Sequence, residues 1–150
     1  MKNDKITKAT LAPSGRTETD ARATAETVRR WMTQAEQLGA RFSDHLGEET
    51  ADGRALDSAI IYTAAAHVWQ TSKGAPHWSR LEVDNLLSSV AALPEWQGAY
   101  GAVAVTLNAF YEFLVDDGAL TQREADPVAQ VLEPYARATM SELTTGSTHA

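Results

Sequence analysis

The amino-acid sequence predicts an all-α fold, a single helical bundle of about five helices around a central buried helix over residues 95–117. Apolar residues recur at spacings of three or four along most of the chain, which is the pattern of amphipathic helices. Between Gly98 and Tyr111 only Thr106 and Asn108 are clearly polar, so a helix there is apolar on nearly every side, as expected where several neighbours pack around it. No stretch shows the strict alternation of a β-strand, and no internal repeat is visible.

Size and composition fit one cysteine-free domain. The chain has 150 residues and a mass of 16.2 kDa, which one hydrophobic core accommodates. The lack of cysteine excludes disulfides, thiolate metal sites and cysteine nucleophiles. Residues 1–19 carry lysine at positions 2, 5 and 8 but no apolar segment of the kind found in secretory signals. We therefore expect a cytoplasmic protein with no membrane association, no metal and no cofactor.

Charge is distributed unevenly along the chain. Residues 1–80 carry 11 Lys/Arg and 10 Asp/Glu, net +1, whereas residues 81–150 carry 2 Lys/Arg and 10 Asp/Glu, net −8, and the two sum to the −7 of the whole chain. Nucleic-acid binding depends on clustered positive charge. We therefore expect no nucleic-acid contact from the C-terminal half.

The first helix is predicted over residues 19–46, where apolar residues follow a helical stripe. Gly39 lies inside this stripe and is predicted to bend or break the helix, and Gly47 is predicted to cap it. Residues 1–17 lack an apolar period and are predicted to be a mobile N-terminal tail. The helical domain is accordingly assigned to residues 18–143.

The second helix is predicted over residues 55–72 and is ended by Gly74 and Pro76. Its apolar residues occupy a wide arc, which predicts that most of the helix is buried. The residues expected on its buried face are Leu56, Ala59, Ile60, Ala64, His67, Val68 and Thr71.

The third helix is predicted over residues 79–93, with Ser79 and Glu82 as a capping box and Trp78 and Val83 as a hydrophobic staple. A proline then separates it from the central helix. The large apolar side chains of the central helix are predicted to form one buried stripe, Tyr100, Val103, Leu107, Phe110 and Leu114.

Two start signals compete for the last helix, which is predicted over residues 122–143. The motif Thr121-x-x-Glu124 is a second capping box, whereas Asp126-Pro127 would place an N-cap before a proline at the first helical position. The start is therefore left open between residues 121 and 127. Pro134 is predicted to kink or divide this helix, and residues 144–150 are predicted to be a frayed C-terminal tail.

Three acidic residues, Glu112, Asp116 and Asp117, cluster near the C-terminal end of the central helix. Negative charges there repel one another and oppose the helix dipole. The cluster is either a site for a cation or a partner's arginine, or a solvated helix end near Arg123, and we favour the second interpretation. An enzyme with a carboxylate site at Glu112 and Asp116 is kept as an alternative.

The histidines and tryptophans form no recognisable motif. His67 is interpreted as a hydrogen-bonded core histidine, since no Ser, Cys or carboxylate partner is identifiable by spacing. His45 stands near Asp44, Glu48 and Glu49, but no known metal-ligand spacing is present. Of the four tryptophans, three are assigned to the core, Trp31, Trp69 and Trp78, and Trp96 is left unassigned.

The segment from Pro76 to Tyr135 resembles two kinds of domain. Over roughly residues 41–135 it resembles a poorly characterised class of bacterial helical domains, in which a Trp-Ser start and a Leu-Leu helix precede a helix of the form Leu-x-x-Phe-x-x-Phe-Leu-x-x-x-Gly. This resemblance implies a helical fold without a known activity. The matching residues are Trp78, Leu86, Leu87, Leu107, Phe110, Phe113, Leu114 and Gly118.

The same segment also resembles the SAM-like core-binding domain of tyrosine recombinases. The residues that carry this second resemblance are Tyr111, Phe113, Leu114, Gly118 and Asp126-Pro127. Such domains bind DNA with Lys and Arg, whereas the matching half here is acidic, and we expect no catalytic recombinase domain within these 150 residues.

Because no catalytic motif and no basic face are found, we expect a non-enzymatic helical module that acts by protein–protein contact, with an unknown protein partner or by self-association. The alternative is a DNA-binding accessory domain that uses the N-terminal lysines with Arg22, Arg29 and Arg30. Arg22, Arg29 and either Arg30 or Glu26 can share one face of the first helix, and the interspersed acids weaken this patch.

Overall fold

In the computed structural model, five α-helices pack as two antiparallel hairpins joined by a shorter helix. The structure describes the backbone of residues 2–96 and 99–149, and the side chains of residues 21–95 and 99–142. The helices are α1 (Lys2–Leu46), α2 (Ala51–Thr71), α3 (Val83–Ala92), α4 (Tyr100–Asp116) and α5 (Gln122–His149), with 3₁₀ turns at Trp78–Arg80 and Pro94–Trp96. Within these ranges there is no strand, so the predicted all-α bundle is confirmed.

The first hairpin consists of α1 and α2. Its helices are antiparallel, since the Trp31 indole N–H donates to the Ala65 carbonyl at 2.8 Å while Ser43 Oγ donates to Asp57 Oδ2 at 3.3 Å. Gly47 ends α1 in the left-handed conformation, with φ at +71°, as predicted for a C-terminal cap. The helix α2 begins at Ala51, four residues before the predicted start at residue 55. Thr50 caps it there, since its Oγ1 accepts the Gly53 N–H.

Gly39 does not break α1, which continues to Leu46. It is a buried contact point with α2, where a Cβ atom would lie 3.7 Å from Ile61 Cδ1 and 3.9 Å from Ser58 Oγ. The packing of α2 against this turn therefore offsets the low helix propensity of glycine.

The second hairpin consists of α4 and α5. Gly118 ends α4 with φ at +85°, and the Thr121-x-x-Glu124 capping box starts α5 by reciprocal hydrogen bonds of 3.0 and 3.1 Å. This capping box is confirmed, and it settles the start that the sequence left open. The predicted division at Pro134 is wrong, because α5 runs through this residue. Buried residues on either side, Leu132 and Ala136, hold the helix where proline removes one backbone hydrogen bond.

The helix α4 is the centre of the bundle and contacts each of the other four helices. Phe110 is fully buried, and its ring lies 5.4 Å from Phe42 and 5.0 Å from Trp78, both edge to face. The predicted start at residue 95 was too early, since Pro94–Trp96 forms a 3₁₀ turn and α4 begins at Tyr100. Tyr100 itself is 42% exposed, so it is not part of the buried stripe.

The start of α3 also differs from the prediction. The helix begins at Val83 and not at Ser79, so the predicted Ser79 capping box is wrong. Leu81 is extended and buried, 6% exposed, and its burial requires a break in the helix between Ser79 and Val83. Trp78 and Val83 are both buried, as the staple predicted.

Both end helices extend into the stretches predicted as tails. The backbone of α1 is helical from Lys2 and that of α5 to His149, although residues 1–17 and 144–150 were predicted to be tails. Residues 21–26 of α1 are exposed, and from residue 21 onward the first buried side chain is Trp31. Helix propagation needs only one backbone bond per added residue, so the helix can continue beyond the packed core. The mobility of the tails stays a prediction.

No helix in the described ranges is long and apolar enough to cross a membrane.

Candidate functional site

The outward side of α2 carries an exposed apolar stripe. Leu56 and Tyr62 are 50% and 49% exposed, and Ala59 between them is also exposed. Thr63 and Ala66, both half-buried, continue the same side at helical spacing. We call these five residues the α2 stripe. None of them is charged, although the solvent side of a surface helix is normally polar.

The stripe corrects the prediction that Leu56 and Ala59 face the core. The residues of α2 that are buried are Ile60, Ile61, Ala64, Ala65 and Val68. They occupy the side that packs on α1, α4 and the Trp78 turn. On the opposite side Ala59 and Tyr62 are exposed. The sequence made α2 apolar on both sides, and the bundle buries only one.

A groove lies beside the stripe, between α1 and α2. It has a volume of about 400 Å³ and is lined by Ala35, Glu36 and Gly39 of α1 and Ser58, Ala59, Tyr62 and Thr63 of α2. Its walls consist mainly of small residues. Because Ala35, Gly39 and Ala59 have short side chains, a space remains between the two helices. Glu36 is the one charged residue in the lining. We call the groove and the α2 stripe together the α1–α2 face.

A second groove, of about 460 Å³, lies between α4 and α5 at the Gly101–Thr139 crossing. Glu142 lines it, and a neighbouring shallow pocket adds Glu112 and the ion pair between Arg137 and Glu133. The groove itself is lined by one charged residue, Glu142, as the α1–α2 groove is by Glu36, but together with the neighbouring pocket the α4–α5 surface carries four: Glu112, Glu133, Arg137 and Glu142.

The structure separates the acidic cluster predicted as a possible site. Glu112 and Asp116 line a pocket of about 230 Å³ beside the start of α5, together with Gln122. Asp117 lies on the other side, where its Oδ2 is 2.6 Å from Arg41 Nη2. The cation paired with Asp117 is thus Arg41 of α1, which the sequence did not predict. The proximity of Arg123 to this helix end stays a prediction. No group of three His, Cys, Asp or Glu that could hold a metal occurs in the described part of the chain.

The two histidines considered from the sequence, His45 and His67, contact neighbouring side chains or are partly buried in the bundle. His45 packs against the Phe113 ring at 5.2 Å, while Asp44 pairs with Arg54 and Glu48 accepts from Thr50. Among the described atoms, the buried Nε2 of His67 has no hydrogen-bond partner. The predicted hydrogen bond of this histidine is therefore not made through Nε2. The backbone of Trp96 is in a 3₁₀ turn, and its side chain lies outside the described residues.

One arrangement that the sequence did not predict joins a hydroxyl, an imidazole and a carboxylate. Ser79 Oγ lies 2.6 Å from His77 Nδ1, and His77 Nε2 lies 3.5 Å from Glu124 Oε2. Nδ1 also accepts the Ser79 N–H at 3.3 Å, so this network assigns the proton of the neutral ring to Nε2. The order of groups is that of a serine hydrolase triad. The residues come from two elements 45 positions apart, so sequence spacing could not show it.

The backbone N–H groups beside Ser79 are already bonded within the 3₁₀ turn. The Ser79 N–H is bonded to His77, the Arg80 N–H bonds to the His77 carbonyl at 2.9 Å, and the Leu81 N–H bonds to the Trp78 carbonyl at 3.4 Å. A hydrolase needs free donors aimed at the developing negative charge. We therefore interpret His77 as the cap of the 3₁₀ turn, linked to the start of α5.

The arginines of the alternative hypothesis, Arg22, Arg29 and Arg30, lie exposed on α1. We call them the α1 arginines. Among the side chains that the structure describes, none of the three forms an ion pair. Glu26 lies between them on the helix at 100° per residue and interrupts the positive patch. The structure thus brings them together as a short exposed group.

Comparisons with protein-family models, with curated proteins and with solved structures found no match to this chain. The two resemblances drawn from the sequence therefore stay predictions.

Proposed function

We propose that this chain is a non-enzymatic helical module that acts by binding protein through its α1–α2 face. The observation that carries the proposal is the uncharged α2 stripe, half-exposed at Leu56 and Tyr62 and placed beside a groove with small-residue walls. Exposed apolar surface rimmed by polar residues is typical of protein interaction sites. An aromatic side chain next to a groove is also the usual composition of an energetic hot spot.

The chemistry elsewhere supports a binding role. The acidic residues at the end of α4 are divided between two sides of the helix, and the Ser79–His77–Glu124 arrangement has its nearby backbone donors already bonded. The α4–α5 surface, which carries four charged residues, is the competing interaction surface. The α1–α2 face is favoured over it because burying a charged side chain against a partner is costly unless the partner supplies an opposite charge.

Photo-crosslinking in the cells that naturally produce the protein tests this proposal. The photoreactive amino acid p-benzoylphenylalanine replaces Tyr62 in one variant and Tyr100 in a matched control. These two tyrosines are similarly exposed, 49% and 42%, but Tyr100 lines the α4–α5 groove. We expect discrete protein adducts at position 62, at least about tenfold stronger than at position 100 if the contact is centred on Tyr62.

Two outcomes would contradict the proposal. Adducts absent from both positions would argue against a protein-binding role for this face. Adducts that form mainly at position 100 would move the interaction to the α4–α5 groove. Adduct identity, read by mass spectrometry of the crosslinked peptides, is recorded in every case.

A further inference from the structure

We infer that the partner of the α1–α2 face is a second copy of this chain, packed about a two-fold axis. The inference rests on the proposed function, because it concerns the same face and names its occupant.

The face holds both parts that a two-fold interface needs. A two-fold interface uses the same patch on both copies, so the patch must contain both a protruding group and a recess that accepts it. The Tyr62 side chain, half-exposed at the edge of the groove, is the protruding group. The recess of about 400 Å³, with Gly39 and Ala59 in its lining, lies directly beside it. A two-fold rotation near Tyr62 places each tyrosine in the groove of the other copy.

The charge distribution favours a copy as the occupant. The chain carries a net charge of −7, and residues 81–150 alone carry −8, so most approaches of two copies bring acidic surfaces together. The α1–α2 face contains a single charged residue, Glu36, and its five stripe residues are neutral. Association through this face keeps residues 81–150, which carry the excess of negative charge, away from the interface. A strongly basic partner, by contrast, would gain little from a neutral face.

The size of the face sets the strength of the association. The 21 residues of α2 give a helix about 31 Å long, and two adjacent helices are about 20 Å wide. An interface that runs the full length of α2, with the α1–α2 face at its centre and the other residues of α1 and α2 around it, covers about 600 Å² on each copy, or about 1,200 Å² in total, which is the lower end of stable interfaces. We expect a reversible dimer with a Kd of about 1–100 µM.

Sedimentation equilibrium of the full chain tests the inference. Between about 1 and 300 µM, a range chosen to bracket that Kd, the mean mass should rise from the monomer value of 16.2 kDa toward twice that value. Tyr62→Ser removes the protruding group, and Ala59→Phe fills the groove at an exposed position that leaves the core intact. Each should weaken the dimer at least about tenfold, as expected for losing a central contact. The matched controls Tyr100→Ser and Leu93→Ser should leave it unchanged.

Mixing the two interface variants gives a sharper result. The Tyr62→Ser copy keeps an open groove, and the Ala59→Phe copy keeps its tyrosine, so one intact tyrosine-in-groove contact forms in the mixed dimer. The second contact then pairs a serine with a filled groove, which is sterically compatible. We expect the mixture to associate more tightly than either variant alone. Circular dichroism and urea midpoints of each variant verify that it is folded.

A constant monomer mass at all concentrations would overturn the inference, as would a dimer that is unaffected by both interface variants or by their mixing. The proposed function is judged separately by the crosslinking experiment. If the chain is monomeric but position 62 crosslinks to a different protein, the inference fails and the proposed function stands. If the chain is monomeric and position 62 gives no adduct, both fail.

Discussion

Replacing Phe110 by alanine is expected to cost the protein about 3–5 kcal/mol of unfolding free energy. Phe110 is fully buried in α4, and four aromatic rings surround it at centroid distances of 5.0 to 6.2 Å. Truncation removes about 150 Å² of buried apolar surface, whose burial contributes about 4 kcal/mol at 25 cal/mol per Å². Since the neighbouring rings come from α1, the Trp78 turn and α4 itself, no single helix can move to close the cavity.

Urea unfolding, followed by circular dichroism and by tryptophan fluorescence, measures this loss. The two probes should give the same midpoint, because Trp31 and Trp78 lie in the cluster with ring centroids 4.8 Å apart. Tyr100→Ala is the control, because this tyrosine on the same helix is 42% exposed, and we expect it to cost about 1 kcal/mol or less. A Phe110→Ala loss below about 1 kcal/mol, far under the usual range, would refute the view that α4 is the packed centre of the bundle.

Three further predictions concern the ends of α4 and α5 and the DNA-binding alternative. Gly101→Ala places a Cβ 2.4 Å from Thr139 Oγ1, which should cost about 1–3 kcal/mol by overpacking. In a Thr139→Ala background only the Cβ of residue 139 remains close, at 3.2 Å, so the same change should cost about 1 kcal/mol less than in the native background, and additive effects in urea melts would contradict this close crossing. The pKa of Glu124 is held below its ordinary value of 4.5 by hydrogen bonds from the Thr121 backbone and side chain. The stability it contributes is therefore present above that value and lost as pH falls through the lowered pKa. Glu124→Gln should make the urea midpoint less sensitive to pH between about 5 and 3, and an unchanged pH profile would argue against the capping box as its cause. Finally, the acidic chain should not bind a labelled duplex at micromolar concentration in about 50 mM salt, by fluorescence anisotropy. Binding that is lost on neutralising the α1 arginines would favour the recombinase-like alternative.

Local signals predicted those features that depend on residues three or four positions apart. The Thr121-x-x-Glu124 capping box lies where the sequence placed it, because each of its hydrogen bonds connects residues within one helical turn. Gly47 and Gly118 end their helices for a similarly local reason, since each adopts a positive φ that other residues rarely adopt. The burial of Phe110 was also predictable, because α4 is apolar around nearly its whole circumference.

Contacts between distant segments were not predictable in this way. Ser79 begins a capping-box pattern, yet the burial of Leu81 interrupts the helix there and His77 becomes the cap. The cation that faces Asp117 is Arg41, 76 positions away. Sequence spacing within a helix cannot predict pairs of this kind, because they form only when the two hairpins pack together.

In the α2 helix, some features follow from local sequence and others from tertiary packing. Its sequence determined that it is a helix and that it is apolar over a wide arc, with Ile60 and Tyr62 on opposite sides. A pattern of residue types cannot say how many neighbours a helix will have. The tertiary structure supplies packing partners for the side of Ile60, Ala64 and Val68, so Tyr62 on the opposite side remains half-exposed, as does Leu56 near the start of the helix. The sequence therefore determined the all-α fold and its local caps, whereas only the packing of the bundle decided which apolar surface is core and which is left to bind a partner.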